Sequence, residues 1–400
     1  MANAIGFGIG GLTMLPLLDE AFPNRIAKTT VVRIGVGTST SEKTQDKDSL
    51  SGNIPGIRLF DVAGRLISDI EGSSKNKIAD GSWEDIKLPA SDDLGGRQAQ
   101  YISVISGGTD AICVSYITVT WPDGLKESWM GNWGYFCGGS WYPAQTISNV
   151  QDDYTPKYTW IDSDGTNGIG VKGLGIHITD FTPTAQRLAA YQNDTFLVCD
   201  SKPRFWMYDD IDMDTCLPHF DPILKFKQKT LLDVDRALVV GVEGSKLDCN
   251  PLPPVPSPVL GERRNKNRSR SSWKSNHLPR SQEQMTNSSM AINSTSTTST
   301  GPRSQSFVGR LITSKHTGHS AKELCASDTS VGPDFVSYQE RVYCDMENKL
   351  AYPLCFSDHR NSTTVEVCFD IEIKILVDPK PINAREKSLP NKKYHIVEDW

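Results

Sequence analysis

The clearest indication of the fold class comes from Ile112-Cys113-Val114-Ser115-Tyr116-Ile117-Thr118-Val119-Thr120-Trp121. Apolar side chains occupy the even positions from 112 to 116 and the odd positions from 117 to 121, which is the two-residue period of a β-strand. The change of phase predicts a β-bulge or a strand that is buried on both faces. The turn sequence Pro122-Asp123-Gly124 follows and predicts a hairpin into residues 125–129.

Similar β-branched and aromatic runs recur along the N-terminal part of the chain. They span residues 31–36, 57–60 and 101–105, and each is bounded by Gly, Pro, Asp or Asn. Helical periodicity is nearly absent, and residues 184–191 are the best short candidate for a helix. Many short strands with turn residues between them predict a mainly β protein whose architecture is an antiparallel β-sandwich.

The composition excludes two function classes. The chain has 400 residues, with 42 basic against 48 acidic side chains and a net charge of −6. This balance argues against a nucleic-acid-binding protein. No internal apolar run is long enough for a multispanning membrane protein, so the membrane enters only through the N-terminus.

The charge is uneven, and its distribution divides the chain. Residues 1–250 carry 22 basic and 32 acidic side chains, whereas residues 251–306 carry 8 and 2. The second stretch is proline-rich at 251–258, basic at 263–270 and rich in Ser and Thr near its end. Such a composition cannot bury enough apolar surface to fold and predicts a disordered linker.

We therefore predict five segments. They are an apolar N-terminal segment (1–25), a β-sandwich domain (26–249), the disordered linker (250–306), a small Cys-rich module (307–377) and a C-terminal tail (378–400). The pair Arg263-Arg264 lies within the linker, so mild trypsin is expected to cut there and to release two stable fragments.

The N-terminal segment indicates where in or outside the cell the protein is located. Residues 1–18 carry no charged side chain, and residues 4–18 have the length and polarity of a signal peptide. No Lys or Arg precedes the apolar stretch, and no small-x-small cleavage site follows it before Asp19. The segment predicts a secretory signal or an uncleaved anchor; the alternative is a packed hairpin or helix of a cytosolic protein.

The nine cysteines favour an oxidising compartment. Eight of them form neighbouring pairs: Cys113 with Cys137, Cys199 with Cys216, Cys325 with Cys344, and Cys355 with Cys368. Short loops of this kind predict a disulfide framework, which leaves Cys249 over. The absence of any C-x-x-C disfavours a structural zinc site. The alternative is a set of buried, reduced thiols.

N-glycosylation sequons agree with secretion. The predicted acceptors are Asn193, Asn287, Asn293 and Asn361, and a fifth triplet begins at Asn267. Several of these triplets lie in the Ser- and Thr-rich linker, where composition alone produces them.

Two acidic groups are the candidate metal ligands. Asp162, Asp164 and Asn167 place oxygen-bearing side chains around a glycine, as some Ca²⁺ loops do, although no bidentate Glu follows at the position of an EF-hand. Further carboxylates would come from the acidic segment 209–214. An Asx-rich turn explains the same residues without a metal, and this is the outcome we expect. No other cofactor is predicted.

Other residues that could take part in catalysis or binding are interpreted as structural. His177 lies between Ile176 and Ile178, so we interpret it as a polar strand position and not as a catalytic base. Five tryptophans crowd into residues 121–160. Flat rings on a sandwich face could stack on sugars, but large aromatics also fill sandwich cores, and we favour the core.

A family resemblance covers most of the chain outside the linker. Segments 55–61, 95–142, 160–165 and 175–181, together with 319–325, 332–337, 344–346 and 352–355, resemble a family of uncharacterised proteins from filamentous fungi. The resemblance implies a fungal source and secretion. It implies no activity, and therefore no catalytic residue.

Two function classes follow. The leading hypothesis is a non-enzymatic secreted or cell-surface protein that binds a cell-wall or host glycan, or another protein. The alternative is an enzyme or an accessory protein of a biosynthetic pathway that uses the carboxylates of Asp162, Asp164, Asp210 and Asp212, since carboxylate pairs suffice for glycoside hydrolysis.

Overall fold

The computed structural model describes residues 19–39, 49–61, 64, 66–89, 99–145, 155–166, 168–182, 185–194, 196–201, 204–214, 226–227, 232–233, 307–355, 367–378 and 389–400. These residues are mainly β, as predicted, and form several antiparallel sheets. The chain divides into two compact units: residues 1–250 with residues 300–400, and residues 251–299. The stretches on the two sides of 251–299 therefore belong to one unit.

The strands before residue 234 are β1 (Thr29–Val36), β2 (Gly52–Ile54), β3 (Gly56–Phe60), β4 (Leu66–Ile70), β5 (Ser73–Ile78), β6 (Trp83–Pro89), β7 (Tyr101–Ile105), β8 (Ile112–Thr120), β9 (Lys126–Met130), β10 (Trp141–Pro143), β11 (Lys157–Ile161), β12 (Gly173–His177), β13 (Phe205–Tyr208), β14 (Phe226–Lys227) and β15 (Leu232–Asp233). The helices of this part are α1 (Asn132–Phe136), α2 (Ala185–Asn193) and α3 (Phe196–Cys199), with 3-10 turns at Asp19–Ala21 and Ile178–Phe181. The predicted helix at 184–191 is thus α2.

Two antiparallel sheets form most of this part. The first sheet has the order β10-β11-β8-β1-β6, with β9 also paired to β8, and the second has the order β13-β12-β7-β3-β4. Their apolar faces contribute to a single core: Val32 and Ile117 of the first sheet belong to the same buried cluster as Ile102 and Ile176 of the second. Because successive side chains of a strand point to opposite faces, the remaining side chains of the first sheet form its outer face, on the side away from this core.

The strand β8 contains the predicted irregularity. Gly35 of β1 lies opposite Tyr116, whereas the next residue, Val36, lies opposite Val114, so the register shifts at this point. The skipped residue is Ser115, which lies next to the change of phase between Tyr116 and Ile117. The predicted hairpin is confirmed as well, because β8 pairs with β9 across the turn at 122–124.

The C-terminal part departs from a purely antiparallel pattern. Its elements are β16 (Arg310–Ser314), α4 (Ala321–Ala326), β17 (Asp334–Ser337), β18 (Val342–Asp345), β19 (Leu350–Pro353), β20 (Cys368–Asp370), β21 (Ile375–Val377) and β22 (Ile396–Asp399). One sheet has the order β19-β18-β17-β16-β22, in which β16 runs parallel to both β17 and β22. The crossover through α4 is what permits the parallel pairing of β16 with β17.

The described residues contain three disulfides, and two of them match the predicted pairs. Cys325 is bonded to Cys344, and Cys355 to Cys368. The third bond corrects the prediction for the first part of the chain, because it joins Cys137 to Cys199 with a Cα–Cα distance of 5.0 Å. Cys137 follows α1 and Cys199 ends α3, so the fold brings together two cysteines that are 62 residues apart.

Cys113 is a free thiol and not a disulfide cysteine, contrary to the prediction. It lies near the start of β8, fully buried in the core and opposite Trp160 of β11. The predicted partner of Cys199, Cys216, lies outside the described residues, as does Cys249.

Residues 19–25 pack on the first sheet. The carbonyl oxygens of Glu20, Ala21 and Pro23 accept hydrogen bonds from Arg33, Thr118 and Thr120. The folded unit thus starts earlier than the predicted boundary at residue 26, while the predicted signal at 1–18 lies outside the described residues. No helix within the described ranges is long and apolar enough to cross a membrane.

Candidate functional site

The acidic loop between β11 and β12 is built as a turn. The Asp164 carboxylate accepts a hydrogen bond from the Thr166 backbone N–H at 3.0 Å, which is an Asx turn. Gly165 has a φ of +68°, a conformation that glycine adopts without strain. Asn167, the third predicted ligand, lies outside the described residues.

Asp162 differs from its neighbour in burial. Its side chain is fully buried, whereas Asp164 is exposed. Burial, reinforced by the charge of Asp164, raises the pKa of Asp162 to about 7. The Asp162 carboxyl group therefore lies in the interior, whereas the Asp164 carboxylate is in contact with solvent.

The second acidic group lies next to this loop. Asp209, Asp210, Asp212 and Asp214 are all exposed. The Asp210 carboxylate forms an ion pair of 3.2 Å with Lys172, whose backbone N–H bonds to Tyr208 at the end of β13. Within the described part of the chain, no group of three or more His, Cys, Asp or Glu side chains is arranged to hold a metal ion.

The crowded tryptophans lie in the interior, as the core interpretation predicted. Trp121, Trp129, Trp133, Trp141 and Trp160 are all buried. Trp133 packs edge-on against Phe181 and Tyr191, with ring centroids 5.4 and 5.7 Å away. These rings cannot stack on a sugar at the surface, so a glycan site has to be sought elsewhere.

His177 is the last residue of β12, as a strand position was predicted, and its side chain is buried. Its Nδ1 lies 2.8 Å from Asp180 Oδ2, and Arg204 Nη1 donates to the same oxygen at 2.8 Å. All three side chains are fully buried. Burial acts to raise the pKa of Asp180, but His177 and Arg204 outweigh it and the pKa is lowered. An Asp–His pair can serve a general base, but this pair has no access to solvent and its role is structural.

The outer face of the first sheet carries an exposed aromatic side chain. Trp83 begins the edge strand β6 and is 51% exposed. The Arg33 guanidinium lies over its ring, 5.1 Å from the centroid. Arg33 in turn binds both oxygens of Asp85, at 2.6 and 2.9 Å. Because the arginine is fixed by this bidentate pair, the indole is supported on a rigid surface.

A second ring lies one strand away on the same face. Gly35 pairs with Trp83 on one side and with Tyr116 on the other. A Cβ at position 35 would lie only 2.3 Å from the Tyr116 ring, so the glycine is what lets this ring lie across β1. Trp83, Arg33, Asp85 and Tyr116 are called the Trp83 face below. Sequence reasoning missed it, because Trp83 is a single aromatic residue among polar ones.

The predicted glycosylation sites are mostly beyond the described residues. Asn193 is exposed at the end of α2. Asn267, Asn287, Asn293 and Asn361 all lie outside the described part of the chain.

The chain was compared with protein-family models and with curated proteins. No protein-family model matches the chain, and no curated protein matches it significantly. The function has to be argued from the structure and the chemistry of its surfaces.

Proposed function

We propose that this chain is a secreted, non-enzymatic fungal protein of the β-sandwich class, and that it binds a glycan on the Trp83 face. Three disulfides support an oxidising, extracellular environment. The observation that carries the proposal is the half-exposed Trp83, whose ring is stacked with the guanidinium of an arginine that a carboxylate fixes.

The chemistry of this face suits a neutral sugar. The C–H face of a pyranose packs on an indole, and the ring of Tyr116 extends the aromatic surface across β1. The Asp85 side chain is 33% exposed, so its oxygens can accept hydrogen bonds from sugar hydroxyls while they remain bonded to Arg33. A few fixed polar groups beside apolar rings are what gives a binding site its orientation and specificity.

The enzyme alternative has weaker support from the same structure. Of its four carboxylates, Asp162 is fully buried and Asp210 is paired with Lys172. A glycosidase needs two carboxyl groups that face one substrate. Among the described residues, the Trp83 face therefore supports glycan binding better than these carboxylates support catalysis.

A glycan array with the full-length protein, followed by calorimetry on the best ligand, tests the proposal. Trp83→Ala should weaken the affinity at least tenfold, because the stacking surface is lost. Leu125→Ala is the matched control, since Leu125 is also exposed (56%) but lies in the turn between β8 and β9. Equal binding by wild type and Trp83→Ala, or no binding of any glycan by wild type, would reject the Trp83 face.

A further inference from the structure

The two parts of the folded unit are joined by backbone pairing. Trp141 of the edge strand β10 forms a parallel bridge with Ser330. Its N–H donates to the Thr329 carbonyl at 3.0 Å, and its own carbonyl accepts from the Val331 N–H at 2.9 Å. The C-terminal part thereby extends the first sheet by a short segment and pairs its β10 edge.

Buried aromatic side chains reinforce this junction. The indole N–H of Trp160 donates to the Val331 carbonyl at 2.8 Å, and that of Trp141 donates to Ser327 Oγ at 3.0 Å. The Trp160 ring also packs edge-on against Phe307, at 5.4 Å between centroids. Both tryptophans are almost wholly buried, so they would expose large apolar surfaces if the parts separated.

A charge pair crosses the same junction. Lys157 Nζ lies 2.7 Å from Glu323 Oε2, and the Tyr135 hydroxyl donates to Glu323 Oε1 at 2.9 Å. Lys157 is buried, with Nζ 4.7 Å from the centre of the Trp141 ring. A buried ammonium needs this carboxylate, which adds specificity to the apolar contact.

The described cysteines form no disulfide between the two parts. All four cysteines of residues 307–400 are bonded to one another, as Cys325–Cys344 and Cys355–Cys368. The polypeptide between the two parts is therefore their only covalent connection. It includes residues 251–299, which are assigned to a separate unit and contain the pair Arg263-Arg264.

We infer that residues 307–400 bind residues 19–214 without need of this covalent connection, and that cleavage within 251–299 yields a stable two-chain protein. The inference replaces the expectation that trypsin releases two separate fragments. It is independent of glycan binding at the Trp83 face.

The test begins from the folded full-length chain with a site-specific protease sequence in place of residues 275–281. After complete cutting, size-exclusion chromatography at 1 µM should give one peak at the position of the uncut protein. A denaturing gel without reductant should show two separate fragments. Two peaks under native conditions would overturn the inference, and so would fragments that stay joined on the non-reducing gel.

A matched pair of glycine variants locates the junction. A Cβ at Gly332 would lie 2.2 Å from the Tyr142 ring, whereas a Cβ at Gly170 has nothing within 4 Å. In the cut protein, Gly332→Ala should raise the dissociation constant of the fragments at least tenfold, and Gly170→Ala should leave it unchanged. If Gly332→Ala does not fold, Glu323→Gln gives the same comparison. Equal dissociation constants for the junction and control variants would contradict this interface.

Discussion

Arg204 Nη1 donates to Asp180 Oδ2 at 2.8 Å, and neither side chain is exposed to solvent. Asp180 belongs to the 3-10 turn after β12, and Arg204 immediately precedes β13. The pair therefore fixes two segments at one end of the second sheet. A buried ion pair adds little relative to apolar packing, but the loss of one partner leaves a buried charge without compensation.

Asp180→Ala should consequently destabilise the protein strongly. We expect a loss of about 3–5 kcal/mol in the free energy of unfolding, because the buried Arg204 loses its carboxylate. Asp210→Ala is the control: Asp210 also pairs with a cation, but its side chain is 86% exposed. That loss should be at most about 1 kcal/mol. Urea titrations of the three proteins measure both values, and similar losses would show that the buried pair has no special role.

The sequence predicts the local elements of this fold well. The alternation from Ile112 to Trp121 indicates a strand with an irregularity, and the residues 122–124 indicate a hairpin; β8, its bulge and β9 all form. Both features can be predicted because they depend on residues that are adjacent in the sequence: side chains alternate along a strand, and the residues of a turn favour its conformation.

Features that depend on long-range packing could not be predicted in the same way. The pairing of Cys137 with Cys199 requires α1 and α3 to meet, and separation along the chain does not encode that meeting. His177 is polar by sequence but buried, because Asp180 and Arg204 compensate it. Trp83 is exposed because it lies on the outer face of a strand at the edge of a sheet, while Ile86 of the same strand is buried.

Mass spectrometry of the non-reduced protein should find the three disulfides of the structure and a thiol at Cys113. Burial raises the pKa of the Cys113 thiol well above its ordinary value, and the side chain has no exposed surface. It should therefore resist alkylation in the native protein and react fully in denaturant. Rapid native alkylation of Cys113, or a peptide linking Cys113 to Cys137, would contradict the structure.

Asp164→Ala should cost about 1 kcal/mol at any Ca²⁺ concentration, because it removes the hydrogen bond from the Thr166 N–H. A Ca²⁺ ion takes six to eight oxygens, and here Asp162 is buried beneath the turn. We expect the melting temperature of wild type to be the same in EDTA and in millimolar Ca²⁺. A rise with the logarithm of free Ca²⁺ that Asp164→Ala abolishes would instead establish a calcium site.

The pH dependence of stability should contain two opposed contributions, of which the first comes from His319. Its Nε2 lies 3.0 Å from the Ala144 carbonyl and its Nδ1 lies 2.6 Å from Ser314 Oγ. The carbonyl only accepts, so the neutral ring donates from Nε2 and accepts the serine proton at Nδ1. Burial lowers the pKa of His319 from 6.5 to about 4. Between these two pH values His319 is protonated in the unfolded chain but neutral in the folded protein. The free energy of unfolding therefore decreases by up to about 3 kcal/mol as the pH falls from 6.5 to 4.

The opposite contribution comes from Asp162, whose pKa is raised from 3.8 to about 7. The folded state binds more protons between these values, so this contribution is present at low pH and is lost as the pH rises through 7. The two contributions overlap between pH 4 and 6.5 and partly cancel in the wild type.

His319→Gln, whose amide can accept from Ser314 and donate to Ala144, should reduce the stability lost between pH 7.5 and 4.5. Asp162→Asn should increase that loss. Urea titrations at the two pH values decide the signs, and a change in the same direction for both variants would show that at least one assignment is wrong.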